Sequence, residues 1–319
     1  MEQINYHIRP QKAVDRNLFC ETLVRMKSAF SLDQYQYIGF GATDFDDFKL
    51  FHMKTGMQTM HSVEMDPSVF ERQKFNRPYS CIQLHNELMS TFIDEEFDPN
   101  ISSVIWLDFS DGNDKKSQFS DICNVTRKLK AGDILRITLN AQAGRIVSEE
   151  RRHPNPFERF AIIKAQIGEY LPEVPEKQIT KENYPQILLS AIRTATNSAL
   201  ESRFLIKPIS CYRYADGQEM MTITAVILSR EEKAIYDEKL DRALKDWEYA
   251  TLDWNKIIRL SVPVLTLLER ITLNQYLPLA VAEGALAELC SKTGLTREVY
   301  EDYQKIYKYY PNYQIIEII

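Results

Sequence analysis

The sequence predicts an α/β protein built on a doubly wound, mostly parallel sheet, and three observations predict it. Short apolar and β-branched runs alternate with helical patterns, giving five strands in about 105 residues. One of these runs, 102–107, is almost continuously apolar, as expected where both faces of a parallel strand are covered. The parallel series then gives way to two β-rich arms around an Asp-Gly turn, and the second arm, MMTITAVIL, has enough β-branched residues to sit inside the sheet.

Taken in order, residues 1–34 read as an N-terminal helical cap, with Val14, Leu18, Leu23 and Met26 near helical spacing over 12–30. A buried strand is expected over 35–38, then the turn Gly39-Phe40-Gly41, a helix capped by Thr43 or Asp44, and a second strand ending at Glu64. The turn Asn76-Arg77-Pro78 precedes a third strand over 79–84, and the fourth strand stops at Asp108. The next helix, 113–129, spaces Phe119, Ile122, Cys123, Thr126 and Leu129 along one face, and the fifth strand covers 134–139. Residues 141–183 carry Pro154, Pro156, Pro172 and Pro175 and read as an insertion with one helix over 157–170. A helix over 184–202 leads into hairpin arms at 204–214 and 220–228. From Arg230 the chain is mainly helical, with one stripe made by Ile235, Leu240, Leu244 and Trp247 and others over 280–290 and 296–309. The expected division is a cap (1–34), a central domain (35–230) and a C-terminal helical region (231–319), whose last stretch, YYPNYQIIEII, is apolar enough to dock on the core or on a partner subunit.

Composition excludes several classes. The 319 residues are 44% hydrophobic and 26% charged, an ordinary globular balance. No window reaches the ~18 apolar residues of a membrane span, and the first residues lack an export signal, so a cytoplasmic protein without membrane contact is expected. The five cysteines are dispersed with no CxxC, which argues against a structural zinc site or a disulfide scaffold. A net charge of −6 leaves nucleic-acid binding to a local patch, and the basic run over 145–159 reads as a solvated loop, so nucleic acid is not the expected partner.

The chemistry concentrates around the glycine turn. Gly39 and Gly41 let a backbone approach a ligand, and Glu64, 23 positions after Gly41, is placed to hold ribose hydroxyls. A pyrophosphate site wants a third glycine, where this chain has Asp44, followed by Asp46 and Asp47. Those carboxylates repel a phosphate and tolerate a sulfonium and an ammonium, which favours S-adenosylmethionine. Phe40 and Phe45 are candidates to stack on adenine or to pack. Asp108, at a strand end, is the candidate to position a methyl acceptor or take its proton, with Asp111 beside it; its other expected role is to cap the following helix. Two carboxylates without a third ligand predict no metal site. His52 and His85 are expected to be packed or partly exposed histidines rather than bases, although His85 lies at the ligand-side end of its strand.

The runs YIGFGATDFDDF, HSVEMD, IWLDFSD, LKAGDILRITLNA and YADGQEMMTITAVIL together resemble the ordered motifs of class I S-adenosylmethionine-dependent methyltransferases, most nearly bacterial proteins labelled "putative O-methyltransferases". The resemblance covers about residues 30–230. It implies a Rossmann-like, doubly wound, seven-stranded sheet whose last strand is antiparallel, followed by the C-terminal helices. It also implies a cofactor loop at Gly39 and Gly41 and a ribose acid at Glu64, and it matches Asp108 to the residue after the fourth strand. The expected cofactor-binding set is Gly39, Phe40, Gly41, Glu64, Asp66 and Asn86, and the expected catalytic pair is Asp108 and Asp111. The expected function is S-adenosylmethionine-dependent methyl transfer, to oxygen, on an unidentified acceptor. Gln36 and Tyr37 stand where the family carries an acid before the glycines, and the third glycine is missing. An alternative reading rests on these departures: a non-catalytic, methyltransferase-like module that recruits a partner protein. A second copy or a partner protein would bind through the C-terminal helices.

Overall fold

The computed structural model describes residues 9–147, 154–215, 217–279 and 281–311. The chain divides into two units, one of Phe19–Ile258 and one that joins the residues up to Leu18 with those from Arg259 onward. The first helix, α1 (Pro10–Met26), runs through the first of these division points.

The larger unit is organised by five parallel strands, of which all but the third are buried on both faces. These are β1 (Gln36–Gly39), β2 (Thr59–Val63), β3 (Ile82–His85), β4 (Ser103–Asp108) and β5 (Ile134–Asn140). The run that reads as unbroken apolar, β4, is buried at five of six positions, and β5 at all seven. The strands pair in parallel as β3-β2-β1-β4-β5. The hairpin arms are β6 (Phe204–Ala215) and β7 (Glu219–Ser229); β7 lies between β5 and β6 and is antiparallel to both. The sheet is therefore the mostly parallel, seven-strand arrangement that the motifs imply, with a two-residue β8 (Ile258–Arg259) added at the β6 edge. The tip of the hairpin, Asp216, lies outside the described residues.

Alternate strand residues face two different layers, which is what double winding means physically. Ile38, Ile105, Leu107, Leu135 and Ile137 point into a core shared with Phe119 and Ile122 of α5 (Lys115–Lys128) and Leu188 and Ile192 of α7 (Tyr184–Ala199). On the other face Tyr37 packs edge-on against Phe48 and Phe51 of α2 (Asp46–Thr55). Phe19 meets Phe51 and Trp106 there. Arg136, in the middle of β5, is fully buried on this face, its guanidinium 4.4 Å from the Phe19 ring and 4.8 Å from Trp106, with Nη1 donating to Thr224 at 2.7 Å. A guanidinium set against two rings gains cation–π attraction that offsets part of its desolvation cost.

The remaining helices of this unit are α3 (Pro67–Asn76), α4 (Met89–Glu95), α6 (Pro156–Ile167) and α8 (Lys233–Leu244). The proline-rich insertion supplies α6, which opens on a reciprocal capping box between Asn155 and Glu158. In α8 the stripe is shorter than its sequence suggests. Leu240 and Leu244 are buried but Ile235 is 57% exposed, because the residue one turn before Leu240 on the inward face is Tyr236, which stacks on Phe30 at 5.7 Å.

The smaller unit contains α9 (Leu267–Asn274), α10 (Glu283–Thr293) and α11 (Arg297–Ile306), in agreement with the expected C-terminal helices. Tyr303 donates to Asn274 at 2.9 Å and Tyr310 to the carbonyl of Pro263 at 3.0 Å, while Arg270 sits over the Tyr310 ring at 4.8 Å. The first half of α1 joins this unit through Asn17, whose side chain donates to the Tyr309 carbonyl at 2.8 Å. Most of the apolar tail, 312–319, lies outside the described residues. No helix among the described residues is long and apolar enough to cross a membrane.

Candidate functional site

The strand order reverses between β1 and β4, and a crevice at the carboxyl ends of strands on either side of such a point is where open α/β sheets take ligands. Phe40 follows β1 and Phe109 follows β4; their rings lie 6.1 Å apart across that point. Phe45 does not join them. It is fully buried against Phe48.

The two glycines are required by the chain's own packing. A Cβ on Gly39 would lie 2.7 Å from the Tyr37 hydroxyl, and one on Gly41 would lie 2.5 Å from Ser62 Oγ and 2.8 Å from the Phe45 ring. The Gly41 N–H donates to Ser62 Oγ at 3.1 Å, and the Ser62 hydroxyl donates to Gln73 at 3.2 Å. Positive φ falls instead on Ala42 (46°) and Phe45 (52°), residues that pay for this conformation, and such strain concentrates in functional loops. The expected caps do not form. Phe45, left-handed and without a side-chain acceptor, occupies the N-cap of α2, and Thr43 donates to Asp44 at 3.1 Å. Of the carboxylates at this helix start, Asp46 pairs with Lys49 at 3.4 Å, whereas Asp47 is buried and accepts from the Tyr37 hydroxyl.

Glu64 leaves the end of β2. Its N–H donates to the His85 carbonyl at 2.9 Å and its carboxylate accepts from the Asp66 N–H at 2.8 Å. Partial burial raises its pKa above the usual carboxylate value. Asn86 donates to the Glu64 carbonyl at 2.7 Å, so it ties the ends of β2 and β3 together. Asp66 serves as the N-cap of α3, accepting from Ser68 Oγ at 2.7 Å and from Ser68 N–H at 2.8 Å, and these bonds hold its pKa down. Between the two acids Met65 is 69% exposed. His52 is packed as expected, its ring near Tyr79 and its Nδ1 2.7 Å from the Met57 carbonyl. His85 is packed too, against His61 and Phe92.

Asp108 ends β4, half-buried, beside Thr138 of β5. It does not cap α5; Asp114 does, accepting from the Ser117 N–H at 3.2 Å. Asp111 closes a local turn by accepting from the Asn113 N–H at 2.8 Å. Under this loop lies Lys115, fully buried, whose Nζ donates to the carbonyls of Asp111 and Gly112 at 3.3 Å each and to Gln118 at 3.2 Å. Burial pushes its pKa down to about 8. Its place in the sequence is that of a solvated lysine in a first helical turn, and it is the preceding loop that folds its own carbonyls, three and four residues back, onto the ammonium. The loops after β4 and β5 press together, with a Cβ on Gly112 meeting Arg145 Cβ at 3.1 Å and Asn140 Cγ at 3.4 Å. Asn140 in turn donates to Gln218 at the start of the second hairpin arm.

The structure thus brings Gly39, Phe40, Gly41, Glu64, Asn86, Asp108 and Asp111 to one end of the sheet. Among the described residues no three His, Cys, Asp or Glu side chains converge as a metal site.

Solved structures are similar to this chain, and the first of them shares its fold. Trm1 from Pyrococcus horikoshii, solved with S-adenosyl-L-methionine, is 15% identical with a TM-score of 0.50, over 73% of this chain and 58% of that one; this chain therefore spans less than two thirds of its length. Cofactor-bound Rv0187 from MTB is 11% identical over 72% of this chain and 85% of that one, with a TM-score of 0.40. A "putative O-methyltransferase" from Klebsiella pneumoniae is 7% identical over 68% and 89%, with a TM-score of 0.37. No curated protein matches. The sequence itself matches the family described as "Putative O-methyltransferase" over residues 4–318, nearly its whole length, and the chain belongs to that family.

Proposed function

We propose that this chain binds S-adenosylmethionine in the crevice between the Gly39–Gly41 turn and the ends of β2 and β4, and transfers its methyl group to an acceptor oxygen. The observation that carries the reading is the state of the glycine turn. A phosphate cradle needs free backbone N–H groups, but the Gly41 N–H is taken by Ser62 and carboxylates crowd the helix start. A cofactor without phosphate has no need of that donor, and its ribose hydroxyls suit Glu64.

When bound, the cofactor supplies an electrophilic methyl on a sulfonium. The acceptor oxygen must then be held in line and lose a proton as its bond to carbon forms. Asp108 is the residue proposed to orient the acceptor and take that proton, since it is half-buried at the end of β4 next to Phe109. Asp111, engaged with Asn113, shapes the loop, and Lys115 holds that loop from below. Phe40 and Phe109 would exclude water from the transfer. A second reading, a binding module that recruits a partner protein or a second copy through its C-terminal helices, is favoured by one observation. The turn is filled by its own Tyr37, Phe45 and Ser62 side chains.

Titration calorimetry separates the two. The enzyme reading expects heat with both S-adenosylmethionine and S-adenosylhomocysteine; none with protein at about 0.1 mM, a concentration that detects weak sites, removes it.

A further inference from the structure

Helix α9 turns an apolar side to water. Leu267 and Leu268 in its first turn are 58% and 74% exposed, and Ile271 is 49% exposed. The two leucines stand four and three residues before Ile271, so the three side chains are neighbours on one side of the helix. Val264, two residues before the Thr266 cap, is 80% exposed. A surface helix normally carries polar residues on its outer side, whereas α9 has Leu273 and Arg270 on its buried side and leucine and isoleucine outside. A contiguous apolar patch of this kind marks a contact surface.

The last described residues are anchored beside this patch. Tyr310 is buried, its hydroxyl donating to the Pro263 carbonyl at 3.0 Å and accepting from the Leu265 N–H at 3.4 Å, so it grips the backbone on both sides of Val264. After Pro311 come the eight residues NYQIIEII. Such a length of chain can span about 26 Å, and α9 is only about 12 Å long. Its four isoleucines flank a single charge, Glu317. In an extended run Ile316 and Ile318 would share a side, and in a helical turn Ile315, Ile318 and Ile319 would do so, so either conformation offers an apolar side.

We infer that residues 312–319 dock on the face formed by Val264, Leu267, Leu268 and Ile271 of the same chain and close it to water. The tether decides the occupant. With Tyr310 fixed at the start of α9, the segment meets the face intramolecularly, at an effective concentration in the millimolar range that a separate partner rarely reaches. The inference is independent of the cofactor assignment. It has a consequence for recruitment through the C-terminal helices, because a partner protein or a second copy that uses this face must first displace the tail.

Two measurements on the full chain test this. In the first, Leu268 is replaced by the photo-crosslinking residue p-benzoylphenylalanine, and the irradiated protein is digested with trypsin, which releases 309–319 as one peptide after Lys308. The expected product is a crosslinked monomer whose fragment ions place the link within 312–319. A link to a second copy, to residues 1–8 or to any other segment overturns the inference, and so does the absence of a link. Ile271 is the alternative position for the crosslinker if the change at Leu268 prevents folding. The second measurement separates docking from nearness to the tether. Ile316→Asp combined with Ile318→Asp keeps the tether and puts two charges where an apolar contact does not accept them. This variant is expected to lose the crosslink and to bind more of an apolar fluorescent dye than the wild type, and adding Leu268→Asp is expected to cancel that gain. A crosslink that persists, dye binding equal to the wild type, or a gain that survives Leu268→Asp each overturns the inference.

Discussion

The Tyr37 hydroxyl donates to the carboxylate of Asp47, joining the middle of β1 to the first turn of α2 behind the glycine turn. Tyr37 is also the residue that leaves no room for a Cβ at Gly39. One side chain therefore sets both the path of the turn and the anchoring of the helix that follows.

Tyr37→Phe keeps the ring contacts with Phe48 and Phe51 and removes this bond. A hydrogen bond to a charged, buried group is worth about 1.5–3 kcal/mol, so denaturant unfolding should show a loss of that size. An unchanged midpoint would mean that Asp47 is fully satisfied by its other partners.

Gly41→Ala should destabilise by about 1–3 kcal/mol, the usual cost of overpacking, because the new methyl collides with Ser62 and the Phe45 ring. Adding Ser62→Ala should recover part of the loss. Gly144→Ala is the control, since nothing lies within 4 Å of its Cβ position, and thermal melts of the three variants make the comparison.

Glu64→Ala should weaken S-adenosylmethionine binding by about 1–3 kcal/mol, read by calorimetry. Asp66→Ala should instead lower the melting temperature and leave affinity nearly unchanged, because its carboxylate is engaged in capping α3. Equal affinity losses in the two variants would place the ribose at both acids.

The buried Lys115 gives a dependence on alkaline pH. Its pKa falls from 10.5 unfolded to about 8 folded, so between those values the unfolded chain binds more protons and stability rises with pH. Buried tyrosines such as Tyr35 and Tyr184, whose pKa values are raised, act in the opposite sense, so the measurement is the difference between wild type and Lys115→Met. The wild type should gain stability relative to the variant from about pH 8 to about pH 10.5, and a constant difference would show that the ammonium stays charged throughout.

The sheet was legible because its central strands are buried on both faces. Apolar continuity in 102–107 and the β-branched run MMTITAVIL are local signals with a global cause. The glycine turn and Glu64 were legible for a related reason, since a turn at the end of a buried strand and an acid at the end of the next one are set by chain geometry. The buried polar groups were not. Arg136 reads as a surface residue until Phe19 and Trp106 close on it, and Lys115 until two carbonyls return over it. His61 and His85 are 24 positions apart and each alone looks like an ordinary packed histidine. For Arg136 and for the two histidines the partner comes from another element, so no window of sequence contains both halves; the partners of Lys115 lie within four residues of it, and only the folding of that loop turns them onto the ammonium. The cap of α2 was misread for a smaller reason: Thr43 and Asp44 have the right chemistry, but the chain enters the helix one residue later through a left-handed Phe45.

The position of β7 also governs how the chain can be made. Strand β5 pairs on one side with β4 and on the other with 220–226, a segment that a ribosome delivers only long after Asn140 has emerged. Until then a strand buried at every position presents an open edge, the kind of surface on which chains add to one another. A fragment ending between Asn140 and Met220 should therefore aggregate, whereas one ending after Ser229 has its β5 edge covered.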